Sequence, residues 1–180
     1  MKVQKRSGTH EDVSFDKILN RMNALSFDQE FEHKLNIDPT IIAQKVCSEI
    51  YDGVTTRELD ILASEVAISL YSSHPDYGIL ASRIVVSNHH KNTEGKFSKK
   101  VAMLFNAITN ERSTPLVNEK FYDLVMENKE EIESVIDYQR DYDFDFFGLK
   151  TLEKSYLYKV NKVIVERPQD MIMRVSLSIH

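Results

Sequence analysis

Residues 3–25 read VQKRSGTHEDVSFDKILNRMNAL, and two different periods meet inside them. Up to Val13, polar residues flank a Ser7-Gly8 pair, and glycine takes the positive φ that a two-residue hairpin turn demands. This stretch reads as a small β-hairpin. From Phe15 the period is helical: Phe15, Ile18, Leu19, Met22 and Leu25 fall on one stripe, with Ser14 in the N-cap position and Asp16 beside the helix N-terminus. The spacing predicts a helix to about Ser26.

Moving outward, Asp38-Pro39 pairs an N-cap with proline at the first helical position, and Gly53 stands where a glycine would end that second helix. Thr55, Thr56, Arg57 and Glu58 fit a capping box, in which the Thr55 hydroxyl and the Glu58 carboxylate satisfy each other's backbone N–H groups. The third helix follows with the stripe Leu59, Leu62, Ala63, Val66 and Leu70. Ser73-His74-Pro75-Asp76 opens a fourth, carrying Tyr77, Leu80, Ala81, Ile84 and Asn88 on one face. The expected architecture is mainly α. A β-hairpin caps a four-helix bundle over residues 1–95, a size at which a domain folds alone.

Residues 96–180 form a second, mostly helical region with short strands. Helices are expected around Phe97 to Ile108 and Asn118 to Tyr138. Tyr142, Phe144 and Phe146 alternate with Asp141, Asp143 and Asp145, which is a strand period, and Tyr156 to Val165 reads as a hairpin turning at Asn161. Met171 to Ile179 is apolar and stops abruptly, so the region is expected to be incomplete.

The 180 residues are 42% hydrophobic and 28% charged, the composition of a globular chain with enough apolar side chains for a core. No apolar run approaches the ~20 residues that span a bilayer, and no signal-peptide core follows Met1. A cytoplasmic address and no membrane partner are expected. The net charge is −5 and uneven: residues 1–21 carry +2 and residues 119–148 carry −7. Five dispersed cations alternating with acids suit a small anion better than a nucleic acid, whose counterion-driven binding needs a larger basic surface. A lone cysteine, Cys47, excludes an internal disulfide and a cysteine zinc site, and its place among Ile42, Ala43, Val46 and Ile50 suits a buried small hydrophobe.

The five glycines are too scattered for a phosphate-cradling loop, so any phosphate site must use side chains. Lys5 and Arg6 border the hairpin turn, Lys17 lies in the first turn of helix one, and Lys91 ends the inward stripe of helix four. Their convergence would suit a triphosphate; equally, they read as ordinary surface cations, with Lys91 complementing a helix C-terminus, and spacing does not choose. Asp141-x-Asp143-x-Asp145 lacks the following glycine and the twelfth-position glutamate of a calcium loop. His89 and His90 point about 100° apart on a helix and do not form an i, i+4 metal pair. No metal site is expected.

Taken together, Val3-Gln4-Lys5-Arg6-Ser7-Gly8, Val13-Ser14-Phe15-Asp16-Lys17-Ile18, the run Gly53-Val54-Thr55-Thr56 with Glu58-Leu59-Asp60, His74-Pro75-Asp76-Tyr77 and Asn88-His89-His90-Lys91 resemble, in order and spacing, the ATP-cone of the class I ribonucleotide reductase large subunit. Further on, residues 147–157 and Glu166-Arg167-Pro168-Gln169 with Met173-Arg174-Val175 resemble the helical segment that leads into that enzyme's catalytic barrel. The likeness covers the whole chain and is nearest the eukaryotic or viral type.

The resemblance implies a domain that binds ATP as activator or dATP as inhibitor, with magnesium accompanying the nucleotide and no prosthetic group. It implies that Lys5, Arg6, Lys17 and Lys91 hold phosphates, and that Glu11, Asp12, Val13, Ser14, Phe15, Asp16 and Lys17 wall the pocket from hairpin to helix. Thr55 and Asp60 would lie near the base and sugar. Four cations balance the roughly −4 charge of ATP, and a carboxylate accepts hydrogen bonds from ribose hydroxyls, one of which dATP lacks. Other large-subunit copies and a radical-generating small subunit are the implied partners within a full-length chain.

The family's chemistry, an oxidoreductase reaction, uses a cysteine radical and a redox-active cysteine pair in the barrel. Neither is present here, so no catalytic residue is assigned, and the chain is expected to be a fragment or a truncated product. Two other readings stay open: a stand-alone nucleotide-binding regulatory module, and a helical interaction protein without a ligand.

Overall fold

The computed structural model describes residues 1–27, 31, 33–109 and 111–179. By its internal contacts the chain divides into two units, Met1–Asn88 and His89–His180.

In the first unit, β1 (Lys2–Gln4) pairs antiparallel with β2 (His10–Asp12), Lys2 opposite Asp12 and Gln4 opposite His10. The hairpin loop is one residue longer than the expected two-residue turn. Lys5 N–H donates to the Thr9 carbonyl (2.8 Å), Gly8 N–H donates to the Lys5 carbonyl (2.9 Å), and Gly8 takes φ +83°. Residues 6–8 therefore form a turn followed by a left-handed glycine, which returns the chain to the strand direction. A third strand, β3 (Val54–Thr55), lies parallel to β1 on its other side, giving the order β2-β1-β3. Two residues carry no visible period, which is why the sequence does not announce it.

Gly53 belongs to this strand rather than to the preceding helix. That helix, α2, ends at Glu49, and Gly53, at φ +85°, donates its N–H to the Lys2 carbonyl (2.8 Å). Asp52 Oδ1 accepts from Lys2 N–H at 2.6 Å. The expected glycine stop is thus a turn that docks β3 against β1.

Four helices follow the sequence pattern: α1 (Phe15–Phe27), α2 (Pro39–Glu49), α3 (Thr56–Ser69) and α4 (Asp76–Asn92). Ser14 Oγ accepts from Lys17 N–H (3.4 Å), Asp38 Oδ1 from Thr40 N–H (2.9 Å), and Thr55 and Glu58 close a complete capping box. Met22, Leu25, Ile42, Ala43, Val46, Ala63, Val66, Ala67, Leu80, Ala81 and Ile84 make the core. The larger of these side chains each contribute about 1.5–3 kcal/mol by leaving water. The stripe of α1 is buried only in its second half, since Phe15 is exposed. Arg83, itself buried, donates to the Leu25 carbonyl (2.9 Å) and the His33 carbonyl (2.9 Å), so it satisfies a backbone acceptor that the last turn of α1 leaves unpaired.

The second unit contains α5 (Phe97–Phe105), α6 (Glu119–Glu127), α7 (Lys129–Val135), a 3-10 helix (Tyr138–Asp143), α8 (Phe146–Ser155) and α9 (Pro168–Ile179). Two short hairpins, β4 (Ile108–Thr109) with β5 (Arg112–Ser113) and β6 (Lys159–Val160) with β7 (Val163–Ile164), connect them. The latter turns on Asn161 and Lys162, both at positive φ, as the asparagine suggests. Phe97, Val101, Phe121, Val125 and Ile132 form the core, with Met173 and Leu177 of α9 packed on it.

The expected strand over Tyr142–Phe146 is absent among the described residues. Its alternating acids are there for helix ends instead: Asp137 caps the 3-10 helix through Gln139 N–H, and Asp145 caps α8 through Gly148 N–H (2.6 Å). Asp141 is fully buried and accepts from Gln169 N–H at 3.0 Å. Capping acids placed every four residues mimic a strand's alternation without sharing its cause.

Candidate functional site

Most of the residues singled out in the sequence lie in the first unit, where the hairpin, α1, α3 and the body of α4 carry two charged clusters. The outer one centres on Glu11 of β2. Lys5 Nζ, from the hairpin loop, and Lys17 Nζ, from the first turn of α1, both reach Glu11 Oε2, at 2.7 and 2.8 Å. The two ammonium groups hold the Glu11 carboxyl below the usual carboxylate range, Lys17 more than Lys5. Two cations on one oxygen form an arrangement that accepts an anion.

The inner cluster centres on Asp60, whose side chain is 9% exposed. Arg6 reaches it from the hairpin loop, Nη2 to Oδ2 at 3.3 Å, and also meets Asn88 Oδ1 at 2.5 Å and Thr56 Oγ1 at 3.4 Å. Arg21 of α1 approaches from another direction, Nε to Oδ1 at 3.3 Å and Nη2 to Oδ2 at 3.5 Å, with Nη2 also on Ser87 Oγ at 2.9 Å. Neither Arg21 nor Ser87 emerged from sequence patterning. Arg21 lies two residues off the apolar stripe as one polar side chain among several, and nothing local marks its partner 39 residues on.

Of the remaining residues, Asp12 ends β2, Val13 N–H donates to the Met1 carbonyl (3.1 Å), and Ser14, Phe15 and Asp16 start α1. Thr55 is occupied by its cap: Glu58 N–H donates to its hydroxyl (3.1 Å), which donates in turn to Glu58 Oε2 (2.8 Å). Thr56, not Thr55, touches Arg6. Lys91 lies three residues after Asn88 along α4 and belongs to the second unit. Cys47 is half-buried, with its thiol pushed up by burial. No helix among the described residues is long and apolar enough to cross a membrane.

The family described as "ATP cone domain" matches residues 1–92, and that described as "Ribonucleotide reductase, all-alpha domain" matches residues 142–180. The ribonucleoside-diphosphate reductase large subunit of Dictyostelium discoideum is 53% identical over 185 residues, aligned with 100% of this chain and 21% of its own length. The large chain of Schizosaccharomyces pombe is 48% identical over 182 residues and the large subunit of Vaccinia virus 49% over 182, each aligned with the whole chain and with 22% and 23% of its own length. The chain therefore spans about a fifth of the length of these curated relatives.

Proposed function

The chain belongs to the ATP cone domain family, and from that premise we propose that its first unit is the allosteric site at which ATP and dATP regulate a ribonucleoside-diphosphate reductase large subunit. The observation that carries this reading is the meeting of Lys5 and Lys17 on a single Glu11 oxygen. The same two donors would grip a phosphate oxygen, with a charge-assisted bond from each. Arg6 stands in the same hairpin loop as Lys5 and would take a second phosphate, while Lys91 is assigned to the phosphates by resemblance alone.

The wall from Glu11 through Asp12, Val13, Ser14, Phe15 and Asp16 to Lys17 would enclose the adenine side. Asp60 would face the sugar, with Thr55 near the base. Thr55 serves its capping box first, so its contribution to the ligand would come from the backbone it orders. Magnesium would travel with the nucleotide. In a longer chain the partners would be other large-subunit copies and the small subunit, and the nucleotide would act by changing how they associate.

Isothermal calorimetry of the 180-residue chain tests the reading. ATP and dATP should bind at one shared site, each displacing the other. Lys17→Ala should weaken ATP far more than adenosine, by roughly 1.5–3 kcal/mol for a charge-assisted bond and less where salt and water screen it. If saturating ATP neither releases heat nor raises the melting temperature of a folded sample, the first unit is not a nucleotide sensor.

A further inference from the structure

Asp60 holds two arginines that are anchored very differently. Arg21 stands on the second turn of α1, 23% exposed, and grips both carboxylate oxygens while its Nη2 also donates to Ser87 on α4. One guanidinium thereby ties α1, α3 and α4 together. Arg6 stands on the three-residue hairpin loop, 32% exposed, and reaches the same carboxylate through Nη2 at Oδ2. The loop arginine is the more easily moved of the two. A partly exposed ion pair at this distance is weak, whereas a guanidinium fork on a phosphate makes two parallel charge-assisted bonds.

Resting on the reading of the first unit as a triphosphate site, we propose that Arg21 is a positioning residue: it holds Asp60 in place while Arg6 exchanges that carboxylate for phosphate, which opens Asp60 Oδ2 to a sugar hydroxyl. Without Arg21, the departure of Arg6 would leave a nearly buried carboxylate unpaired, a state that opposes the exchange. With Arg21 anchored on Ser87, the carboxylate stays paired, oriented and ionised, and the acceptor position released by Arg6 faces the ligand. A carboxylate has about four acceptor sites, so Oδ2 accommodates both Arg21 Nη2 and a hydroxyl. Phosphate binding and sugar readout are in this way one event. The cone distinguishes ribose from deoxyribose because phosphate has first drawn Arg6 away.

The test uses the full 180-residue chain labelled with 15N-arginine, its side-chain Nε–H signals assigned from Arg6→Lys and Arg21→Lys. Titration with inorganic tripolyphosphate should shift the Arg6 signal and leave that of Arg21 in place. Calorimetry with ATP and dATP should then show that Arg21→Lys, which keeps the charge but loses the fork, moves the ATP-to-dATP affinity ratio toward one by a factor of roughly 2 to 10, the worth of one net hydrogen bond. Ser87→Ala, which removes only the anchor of Arg21, should move the ratio the same way by less, and it serves as the probe if Arg21→Lys does not fold. Arg21 shifting together with Arg6 on tripolyphosphate would overturn the exchange. An unchanged ratio in both variants would overturn the role of Arg21, and Asp60→Asn shows whether the sugar assignment fails with it. Failure of the folded wild-type chain to bind tripolyphosphate, ATP or dATP removes the triphosphate reading itself, before any variant is made.

Discussion

Lys100 has no exposed surface, yet its ammonium is fully engaged. Nζ donates to Asp170 Oδ2 at 2.5 Å and to the Tyr138 hydroxyl at 3.2 Å, and it lies 4.6 Å from the centre of the Tyr138 ring. Burial pulls the Lys100 ammonium below its ordinary range, and Asp170 acts against that; burial and the Asp170 carboxylate push the Tyr138 phenol up. The two ends of this pair are unequally provided for. Asp170 also accepts from Tyr138 O–H (2.6 Å) and Arg167 N–H (2.6 Å), whereas Asp170 is the only carboxylate given to Lys100 among these bonds. Asp170→Ala should therefore cost about 3–5 kcal/mol, the size found on leaving a buried charge unpaired, and Lys100→Met markedly less, because Asp170 keeps two donors. Urea unfolding of both variants checks the order, and equal losses would mean that the pair is not asymmetric.

At the scale of the element, ends matter more than middles. Helix α8 is started by Asp145, whose carboxylate accepts from Gly148 N–H, so Asp145→Ala should destabilise the second unit by about 1 kcal/mol while Asp145→Asn or Asp145→Ser loses little. The end of α4 is tied down by histidines. His89 Nε2 meets the Glu166 carbonyl (2.8 Å) and Nδ1 meets Glu153 (3.2 Å), while His90 Nε2 meets Asp141 Oδ2 at 2.6 Å.

Burial lowers the His90 imidazole below its ordinary 6.5; Asp141 opposes the shift, and Arg167 and His89 add to it. Because the folded state binds this proton less readily than the unfolded chain, the contribution of His90 is complete above about pH 6.5 and lost as pH falls through the window below it. The urea midpoint of the second unit should hold steady from pH 8 to pH 7 and decline below pH 6.5, and His90→Gln should flatten that part of the decline. Glu153 is also held below its ordinary range, by the His89 and Lys150 contacts that outweigh burial, so its loss falls below pH 4.5, a separate and lower window.

For the whole molecule, the chemistry is bounded by thiols. The chain has one cysteine, on α2 in the first unit, and spans about a fifth of the reductase large subunits that it matches. Supplied with a ribonucleoside diphosphate, a reductant and a radical-generating small subunit, these 180 residues should form no deoxyribonucleotide, because one thiol makes no disulfide-forming pair. Chromatography of the products checks this. Product whose formation is abolished by Cys47→Ser would require a different mechanism.

What the sequence by itself determined about this protein is whatever is governed within one turn of chain. The caps at Ser14, Asp38 and Thr55, the apolar stripes of α2, α3 and α4 and the turn at Asn161 are of this kind, because each bond or contact joins residues a few positions apart. The four motifs that resemble the cone were legible for the same reason, each being a local run. Only the tertiary structure decided the rest. It decided β3, two residues whose strand character exists solely through pairing with β1, and the fate of Asp141, Asp143 and Asp145, whose alternation says strand while their partners say helix ends. It also decided that Lys5 and Lys17 share one oxygen of Glu11, and that Asp60 is held by Arg6 and Arg21 from positions 54 and 39 residues away. A period records which face of an element leaves water, but it carries no record of which side chain another element will bring to meet it.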